Sequence, residues 1–337
     1  MISTLILTLC ALPFGFSQPV GEPYERRDGT CTTKSVRKSW TDLTVAEKQS
    51  YLDADLCLMS SPPKSGIQGA TSRWDELQYS HAAQARYIHN VGAFLPFHRY
   101  YVTVHDRLIR TECNYTGPLP YWDEPSDVGN IAGSPLFTEE PGFGGDGTGS
   151  DDCIADGPFA DTTLHFKEDL TTSDYCISRA LNDRGFNSGT RANAEACLQK
   201  DNFEDAWECL EGNPHNAGHG GVAGTMVNVL LSPGDPVFYL HHGYLDRVWW
   251  EWQSRDLTTR LTEIGGNNTP NSNSTGGFPG SGVSMPGPNK AFEDYFNDGG
   301  SITTLNHTLW SAGIVGNATI ADVMDGEGEF VCADYAL

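Results

Sequence analysis

The sequence predicts a mainly α-helical domain whose helices are joined by long irregular loops, with few short strands. Apolar residues recur at helical spacing in five stretches, at about 41–58, 72–90, 97–112, 191–211 and 236–254. The 337 residues include 37 Gly and 19 Pro, and two stretches, 125–163 and 264–290, lack any such periodicity. Because no repeat or shift in composition divides the chain, we expect one domain with long loops.

Two of these helices have a recognisable start. Thr41, followed by Glu47, is typical of the residue before a helix, because its hydroxyl can accept a free backbone N–H. Asp235 followed by Pro236 marks the start of the last helix, since Pro at a first helical position loses no hydrogen bond. The sequence therefore places helix starts near 41 and 236.

The beginning of the chain is typical of an exported protein. Residues 1–18 contain no charged side chain and include the apolar stretch Ile2–Leu12, which predicts a secretory signal peptide. The stretch is too short for a transmembrane helix, and no other stretch is long enough. Residues 19–27 end in a dibasic pair and are either trimmed or simply exposed. We expect a secreted, extracellular domain formed by residues 19–337.

Cysteines and charge support this location and exclude some partners. Eight of the nine cysteines follow the signal, which predicts four disulfides but does not choose among the pairings. Five N-x-S/T sequons are present, at Asn114, Asn267, Asn273, Asn306 and Asn317. With 44 acidic and 21 basic residues, the net charge of −23 repels phosphate backbones and anionic lipids. Neither a nucleic acid nor a membrane is an expected partner, and the sequence does not indicate an oligomeric state.

Eight of the ten histidines form two clusters of four, which lie in stretches of 25 and 28 residues. The first cluster contains His81, His89, His98 and His105, and the second contains His215, His219, His241 and His242. On a helix, His215 and His219 share one face and can bind one metal ion. His241 and His242 diverge by roughly 100° around a helix, so we expect only one of them to join that ion.

The first cluster is less regular. His81 and His89 would lie ~12 Å apart on an unbroken helix, which is too far for one metal ion unless the helix ends between them. His98 and His105 share a face but are two turns apart, so one of these two is expected to be a non-ligand. Since no carboxylate occurs at ligand spacing, the imidazoles favour two copper ions that share dioxygen, with a dinuclear zinc hydrolase as the alternative.

The segments His81–Ile109 and Asn213–Gln253 resemble the type-3 copper family of tyrosinases, catechol oxidases and haemocyanin domains. The stretches CTTKSVRKSWTDL near the start and PYWDEPSDVGN after the first cluster resemble its short secreted fungal members. The most specific motif is D-P-x-F-x-x-H-H-x-x-x-D-R, which starts at Asp235. The resemblance implies a four-helix bundle that holds a binuclear copper site. The ligands that it implies are His81, His89 and His98 for one copper, and His215, His219 and His242 for the other. It also implies that His89 is carried by a loop and that His105 is off the metal.

The family's activity implies an oxidase that uses dioxygen to convert o-diphenols, and o-aminophenols as further substrates, into o-quinones. A haemocyanin-like oxygen carrier remains the alternative. The resemblance implies that Glu211 and Asn216 bind a water molecule that deprotonates phenols, which would allow monophenol hydroxylation. It places His241 near the substrate. From its position, Phe238 is expected either to pack against ligand rings near the substrate or to be an ordinary core residue, and we expect Val229–Leu231 at the entrance.

The sequence departs from better-known relatives at several positions. Tyr87 stands where some tyrosinases have a cysteine, so their cysteine–histidine thioether is not expected. Glu124 replaces the second Trp of a common Y-W-D-W string. Asp246 is expected either to orient a ligand histidine or to pair with an arginine. Because the sequence ends soon after Cys332, we expect no C-terminal shielding domain.

Overall fold

A computed structural model describes residues 31–269 and 300–336. The predicted signal peptide, the 19–27 segment, Asn273 and most of the predicted 264–290 loop lie outside these residues. Within them, no helix is both long and apolar enough to span a bilayer.

Helices make up most of the regular structure. The α-helices are α1 (Val45–Ser60), α2 (Arg73–Ala82), α3 (Ala85–Ile88), α4 (Phe94–Glu112), α5 (Asp183–Phe186), α6 (Arg191–Leu198), α7 (Phe203–Leu210), α8 (Asn216–Val222), α9 (Gly224–Val227), α10 (Val237–Ser254), α11 (Leu257–Arg260) and α12 (Ile320–Val323). A π-helical turn, Glu211–His215, joins α7 to α8. The prediction of a mainly helical fold is confirmed.

The strands are short and lie at the edges of the helical core. They are β1 (Ser35–Ser39), β2 (Leu119–Tyr121), β3 (Gly147–Thr148), β4 (Cys153–Ile154), β5 (Thr163–Phe166), β6 (Thr172–Cys176), β7 (Thr308–Leu309), β8 (Ala318–Thr319) and β9 (Ala333–Tyr335). β1 pairs in parallel with β2 on one side and β9 on the other, whereas the other strands form antiparallel pairs. The three-stranded sheet therefore joins the two ends of the described chain.

The centre of the core is formed by α4 and α10, which pack against each other. Both helices are buried over most of their circumference, which is typical of helices inside a protein rather than on its surface. α2 is almost fully buried beside them, and the helical segment 211–222 packs close to α10. These four segments form the bundle and carry the histidines of both clusters except His89, which lies between α3 and α4.

The predicted helix starts are partly correct. The first helix begins at Val45, and Thr44 rather than Thr41 caps it. The Thr44 hydroxyl accepts the Glu47 N–H while the Glu47 carboxylate accepts the Thr44 N–H, which satisfies two otherwise free donors. The last predicted helix begins at Val237, whose N–H donates to the Asp235 carboxylate at 3.0 Å.

Two predicted helices are interrupted. The 72–90 stretch ends as a helix at Ala82, continues as the single turn α3, and leaves His89 in an extended conformation (φ −126°, ψ 142°). His89 is therefore carried by a loop, as the family resemblance implies. The 191–211 stretch is divided into α6 and α7, because the Asn202 side chain caps the start of the second helix.

All eight cysteines after the predicted signal are paired. The disulfides are Cys31–Cys332, Cys57–Cys113, Cys153–Cys176 and Cys197–Cys209. The first joins the two ends of the described chain, and the second joins α1 to the residue that follows α4. The expected number of four is confirmed, and four disulfides are typical of secreted proteins.

Candidate metal centre

The structure brings seven histidines into two buried groups. The first group contains His81, His89 and His98, and the second contains His215, His219, His241 and His242. Within each group the candidate ligand atoms lie within 4.8 Å of one another. Each group draws on more than one segment of the bundle, so the folded bundle, rather than any single helix, creates the sites.

In the first group, backbone carbonyls fix the orientation of each ring. The Nδ1–H groups donate to the carbonyls of Leu230, Ala85 and Phe94, at 3.2, 2.8 and 2.8 Å respectively. A carbonyl can only accept, so Nδ1 carries the proton and Nε2 keeps its lone pair. The Nε2 atoms of His81 and His98 are buried and have no hydrogen-bond partner within residues 31–269 and 300–336. This is the donor arrangement that a metal ion requires.

Two rings of the second group are held in the same way. His215 Nδ1–H donates to the Glu211 carbonyl at 3.3 Å, and His219 Nδ1–H donates to the Met226 carbonyl. The π-helical turn contains Pro214, which cannot donate a backbone hydrogen bond and so suits a wider turn. His215 and His219 have ring centroids 4.5 Å apart, as expected for residues on one helical face.

The His241–His242 doublet places two rings at the second group, where the sequence predicts one metal ligand from this pair. Both rings belong to the second group, and their centroids are 4.9 Å apart. His241 Nδ1 is hydrogen-bonded to the buried Glu124 carboxylate. His242 stacks on His98 at 4.1 Å and packs against Phe238 at 4.2 Å, and neither of its nitrogens has a hydrogen-bond partner in the part of the chain that the structure describes. Glu124 was not predicted to belong to the site, although a carboxylate where relatives have a Trp was a signal for it.

Burial keeps all seven imidazoles neutral. Desolvation lowers the pKa of His89 to about 4 and that of His241 to about 3. The pKa values of the other five lie well below 6.5 for the same reason, and nearby histidines lower them further; these are His81, His98, His215, His219 and His242. Neutral imidazoles without carboxylate ligands suit copper or zinc. The donor set therefore fits a pair of copper ions.

A small, mainly apolar pocket lies against the two groups. Its cavity volume is about 80 Å³, and histidines of both groups contribute to its wall. The lining residues are His89, His215, Asn216, His219, Gly220, Met226, Val227, Val229 and Ser232. Of the predicted entrance residues Val229–Leu231, Val229 lines this pocket. Its apolar wall suits an apolar or aromatic group.

Glu211 begins the π-helical turn that ends at His215, and Asn216 follows it. The Glu211 carboxylate is buried and accepts the Asn90 N–H at 2.7 Å and the Trp207 indole N–H at 2.6 Å. The Asn216 amide lines the pocket and donates to the Gly212 carbonyl at 3.2 Å. Glu211 therefore connects the residue after His89 with the segment that carries His215.

Three further residues were singled out from the sequence: Phe238, His105 and Asp246. Phe238 is fully buried and packs against the rings of His81 and His242, but it does not line the pocket. His105 lies outside both groups and pairs with the buried Asp55 at 2.8 Å. Asp246 pairs with Arg37 and Arg99, at 2.5 Å each, which decides between the two expected roles in favour of arginine pairing.

Comparisons with known proteins agree with this geometry. The family model described as the common central domain of tyrosinase matches residues 71–255. The chain is 31% identical over 330 residues to the tyrosinase-like protein phomQ1' of Diaporthe leptostromiformis, covering 90% of this chain and 80% of that protein. It is 32% identical over 318 residues to the tyrosinase ustQ of Aspergillus flavus, again covering 90% and 80%. A polyphenol oxidase structure from Thermothelomyces thermophila aligns with a TM-score of 0.75 at 24% identity, covering 90% of this chain and 88% of that one.

Proposed function

The chain belongs to the tyrosinase family and is a type-3 copper oxidase, and on this premise we propose that it oxidises o-diphenols to o-quinones with dioxygen. O-aminophenols are proposed as further substrates. The observation that carries the proposal is the meeting of two all-imidazole groups beside one small pocket. His89 and His215, one from each group, both line that pocket, with ring centroids 6.2 Å apart.

The residues of the site have separable tasks. When bound there, a copper pair would supply the dioxygen-binding and electron-accepting chemistry. His81, His89 and His98 would hold one ion, and the second group would hold the other. Because all these imidazoles are neutral, they add no negative charge that would disfavour an electron-rich phenol. Met226 and Val229 bury the apolar face of the substrate ring and exclude water beside the metals.

Diphenol oxidation needs less from the protein than monophenol hydroxylation. A catechol presents two adjacent oxygens, whereas a monophenol must lose its proton to a base before the ring is hydroxylated. We propose that Glu211 and Asn216 can hold a water for that step, but that diphenol oxidation predominates. In support, both Glu211 oxygens already accept hydrogen bonds, from Asn90 and Trp207, and Glu211 does not line the pocket.

We further propose that the protein acts outside the cell as a single domain of residues 19–337, on small phenols and dioxygen. Four disulfides and the sequons support secretion. The net charge of −23 supports the absence of nucleic-acid and membrane partners. Oxidised thiols would be hard to maintain in a reducing compartment.

Oxygen uptake by the copper-loaded protein tests the proposal. Catechol, o-aminophenol and tyrosine are supplied in parallel, and quinone formation is followed by absorbance. We expect one dioxygen to be consumed for every two catechols oxidised, because four electrons reduce dioxygen to water. Tyrosine should turn over more slowly than catechol. Reversible oxygen binding without quinone formation would instead indicate a carrier.

Two variants of α4 provide a matched comparison. His98→Gln removes a first-group imidazole, and His105→Gln changes a buried histidine two turns away that lies outside both groups. We expect His98→Gln to lose catechol oxidation and half of the bound copper, while His105→Gln keeps two coppers. Equal loss of activity in both variants would mean that His98 has only a structural role.

A further inference from the structure

The hairpin formed by β5 and β6 contacts the backbone that supports the metal centre, yet it has no part in the chemistry proposed for the site. Its two strands pair in antiparallel fashion, and residues 167–171 form its tip. Residues 226–231, here called the orienting segment, supply the Leu230 carbonyl that accepts the His81 Nδ1–H. At the hairpin tip, the half-buried Glu168 accepts a hydrogen bond from Asn228 of the orienting segment. The tip therefore contacts the backbone that orients a ligand ring.

Three consecutive hydrogen bonds connect Glu168 with His81. Asn228 Nδ2 donates to Glu168 Oε1 at 2.8 Å, and Asn228 Oδ1 accepts the Leu230 N–H at 3.1 Å. The Leu230 carbonyl in turn accepts the His81 Nδ1–H at 3.2 Å. Because a carboxylate can only accept, Glu168 fixes which end of the Asn228 amide faces Leu230. If the amide turned round, its NH2 group would face the Leu230 N–H and that hydrogen bond would be lost.

Leu170 holds the hairpin tip against the same segment. Its φ of +63° lies in the left-handed region, where Gly or Asn is usual and a leucine is strained. Its N–H donates to the Lys167 carbonyl at 2.9 Å, which closes the turn. Its half-buried side chain packs against an apolar cluster that includes Val229, Leu230 and Leu231. A strained backbone persists where surrounding contacts over-determine it, and these contacts include the orienting segment.

A further polar contact joins the body of the hairpin to the orienting segment. The Tyr175 hydroxyl, on β6, accepts from Gln78 Nε2 at 3.0 Å and donates to the Phe166 carbonyl at 2.7 Å. Gln78 Nε2 also donates to the Leu231 carbonyl at 2.9 Å. Gln78 is completely buried on α2, three residues before His81. The hairpin is therefore attached to the orienting segment both at its tip and along β6.

We propose that Glu168 and Leu170 are positioning residues for the His81 ring. Glu168 acts through the Asn228 amide and Leu170 through its apolar contact, and both fix the place of the Leu230 carbonyl. That carbonyl keeps the proton on His81 Nδ1 and leaves Nε2 available to a metal ion. The inference rests on the copper site used in the proposed function, but not on which phenol is oxidised.

The other two rings of the first group provide an internal comparison. His89 and His98 donate to the carbonyls of Ala85 and Phe94, four residues earlier in each case. Neither carbonyl belongs to the orienting segment. Loss of the hairpin contact should therefore disturb His81 alone within this group, whereas a general loss of stability would disturb all three rings.

The experiment follows the ring Nδ1–H protons by NMR of the metal-free, full-length protein labelled with 15N-histidine. Glu168→Ala and Leu170→Asn should each speed hydrogen exchange at His81 by about 10-fold, the equivalent of one weakened hydrogen bond, and leave His89 and His98 unchanged. Since Asn tolerates the left-handed φ, Leu170→Asn removes the apolar contact without adding backbone strain.

Two variants of the same hairpin serve as controls. Glu168→Gln keeps an oxygen that can accept from Asn228, so it should restore the wild-type exchange rate at His81. Asp174→Ala removes a carboxylate of β6 that is 82% exposed, so the loss of charge is matched while the orienting segment is not touched. It should also leave exchange at His81 unchanged.

Copper affinity provides a second readout. In chelator competition, Glu168→Ala should weaken one of the two coppers by about 10-fold, the lower end of the range for partners of ligand histidines, and Glu168→Gln should weaken neither. Unchanged exchange at His81 in a folded Glu168→Ala protein would overturn the proposal, as would equal acceleration at His81, His89 and His98. Circular dichroism checks folding, and if Glu168→Ala does not fold, Leu170→Asn decides by the same comparison.

These readouts do not depend on turnover. A protein that shows the expected exchange pattern but does not oxidise catechol would refute the proposed function and leave this inference intact. A protein that oxidises catechol but exchanges the His81 proton normally in Glu168→Ala would have the opposite meaning.

Discussion

Asp246→Asn should destabilise the protein more than any surface charge change, because Asp246 neutralises two buried arginines. Its Oδ2 accepts from Arg37 Nη1 and from the Tyr335 hydroxyl, and its Oδ1 accepts from Arg99 Nε, each at 2.5 Å. Burial alone would raise the pKa of Asp246, but the Arg99 and Arg37 guanidiniums hold it below its usual value. The carboxylate is therefore charged, and it joins β1, β9 and the two central helices.

The size of the effect follows from this burial. Both arginines are about 1% exposed, so an uncharged Asn leaves two buried positive charges without the carboxylate that is hydrogen-bonded to them. Removing one partner of a buried ion pair costs roughly 3–5 kcal/mol in the free energy of unfolding. The measurement is urea unfolding of the metal-free protein with its disulfides intact, so that metal loss does not enter.

A surface pair provides the control. Glu195 lies 3.7 Å from Arg255, and both side chains are substantially exposed. Glu195→Gln should change the free energy of unfolding by less than about 1 kcal/mol. If Asp246→Asn also costs less than about 1 kcal/mol, the arginines are stabilised by something other than this carboxylate and the reasoning fails.

Three other outcomes are expected. The metal-free protein should lose stability as the pH falls from 6.5 to about 4, because burial lowers the pKa of His89 to about 4 and the unfolded chain therefore binds protons before the folded chain does. His89 alone accounts for roughly 3 kcal/mol of the free energy of unfolding, which is measured as a fall in the urea midpoint. A urea midpoint that does not change with pH would contradict this prediction. Thr44→Ala removes the cap of α1 and should cost about 1 kcal/mol, read from the thermal midpoint; Thr41→Ala, at the position that does not cap, should cost less. Gly92→Ala places a Cβ on the Gly265 carbonyl and should cost about 1–3 kcal/mol and weaken copper binding at the His89 loop; unchanged copper affinity would show that the loop adapts.

The spacing of the histidines predicted much of the site, because two clusters remain visible whatever the local structure. The helix ends were harder to predict. Glu47 indicated a helix cap nearby, and the sequence prediction assigned the cap to Thr41. In the structure the cap is Thr44, three residues before Glu47. Similarly, the break between His81 and His89 leaves a single turn, Ala85–Ile88, whose apolar pattern continues that of α2. Periodicity alone does not reveal such a break.

No local pattern in the sequence predicts the pairing of Glu124 with His241. The angular argument for adjacent helical residues concerns Cα directions, whereas imidazole nitrogens lie several bonds further out and can converge after rotation about χ1 and χ2. Which acid approaches the ring depends on how β2 packs against α10, and that contact joins residues far apart in sequence. Only the folded chain shows it.

The histidine rings of the site differ in whether the backbone carbonyl that orients them is close to them or far from them in the sequence. His89, His98 and His215 each donate to the carbonyl four residues earlier, so short helical segments fix these rings. His81 and His219 instead depend on the carbonyls of Leu230 and Met226, in the segment that follows α8. This segment thus orients one ring of each group, and its side chains Met226 and Val229 also line the pocket. A change to its backbone should alter metal binding and substrate binding together, whereas a side-chain change at Val229 should alter the substrate pocket alone.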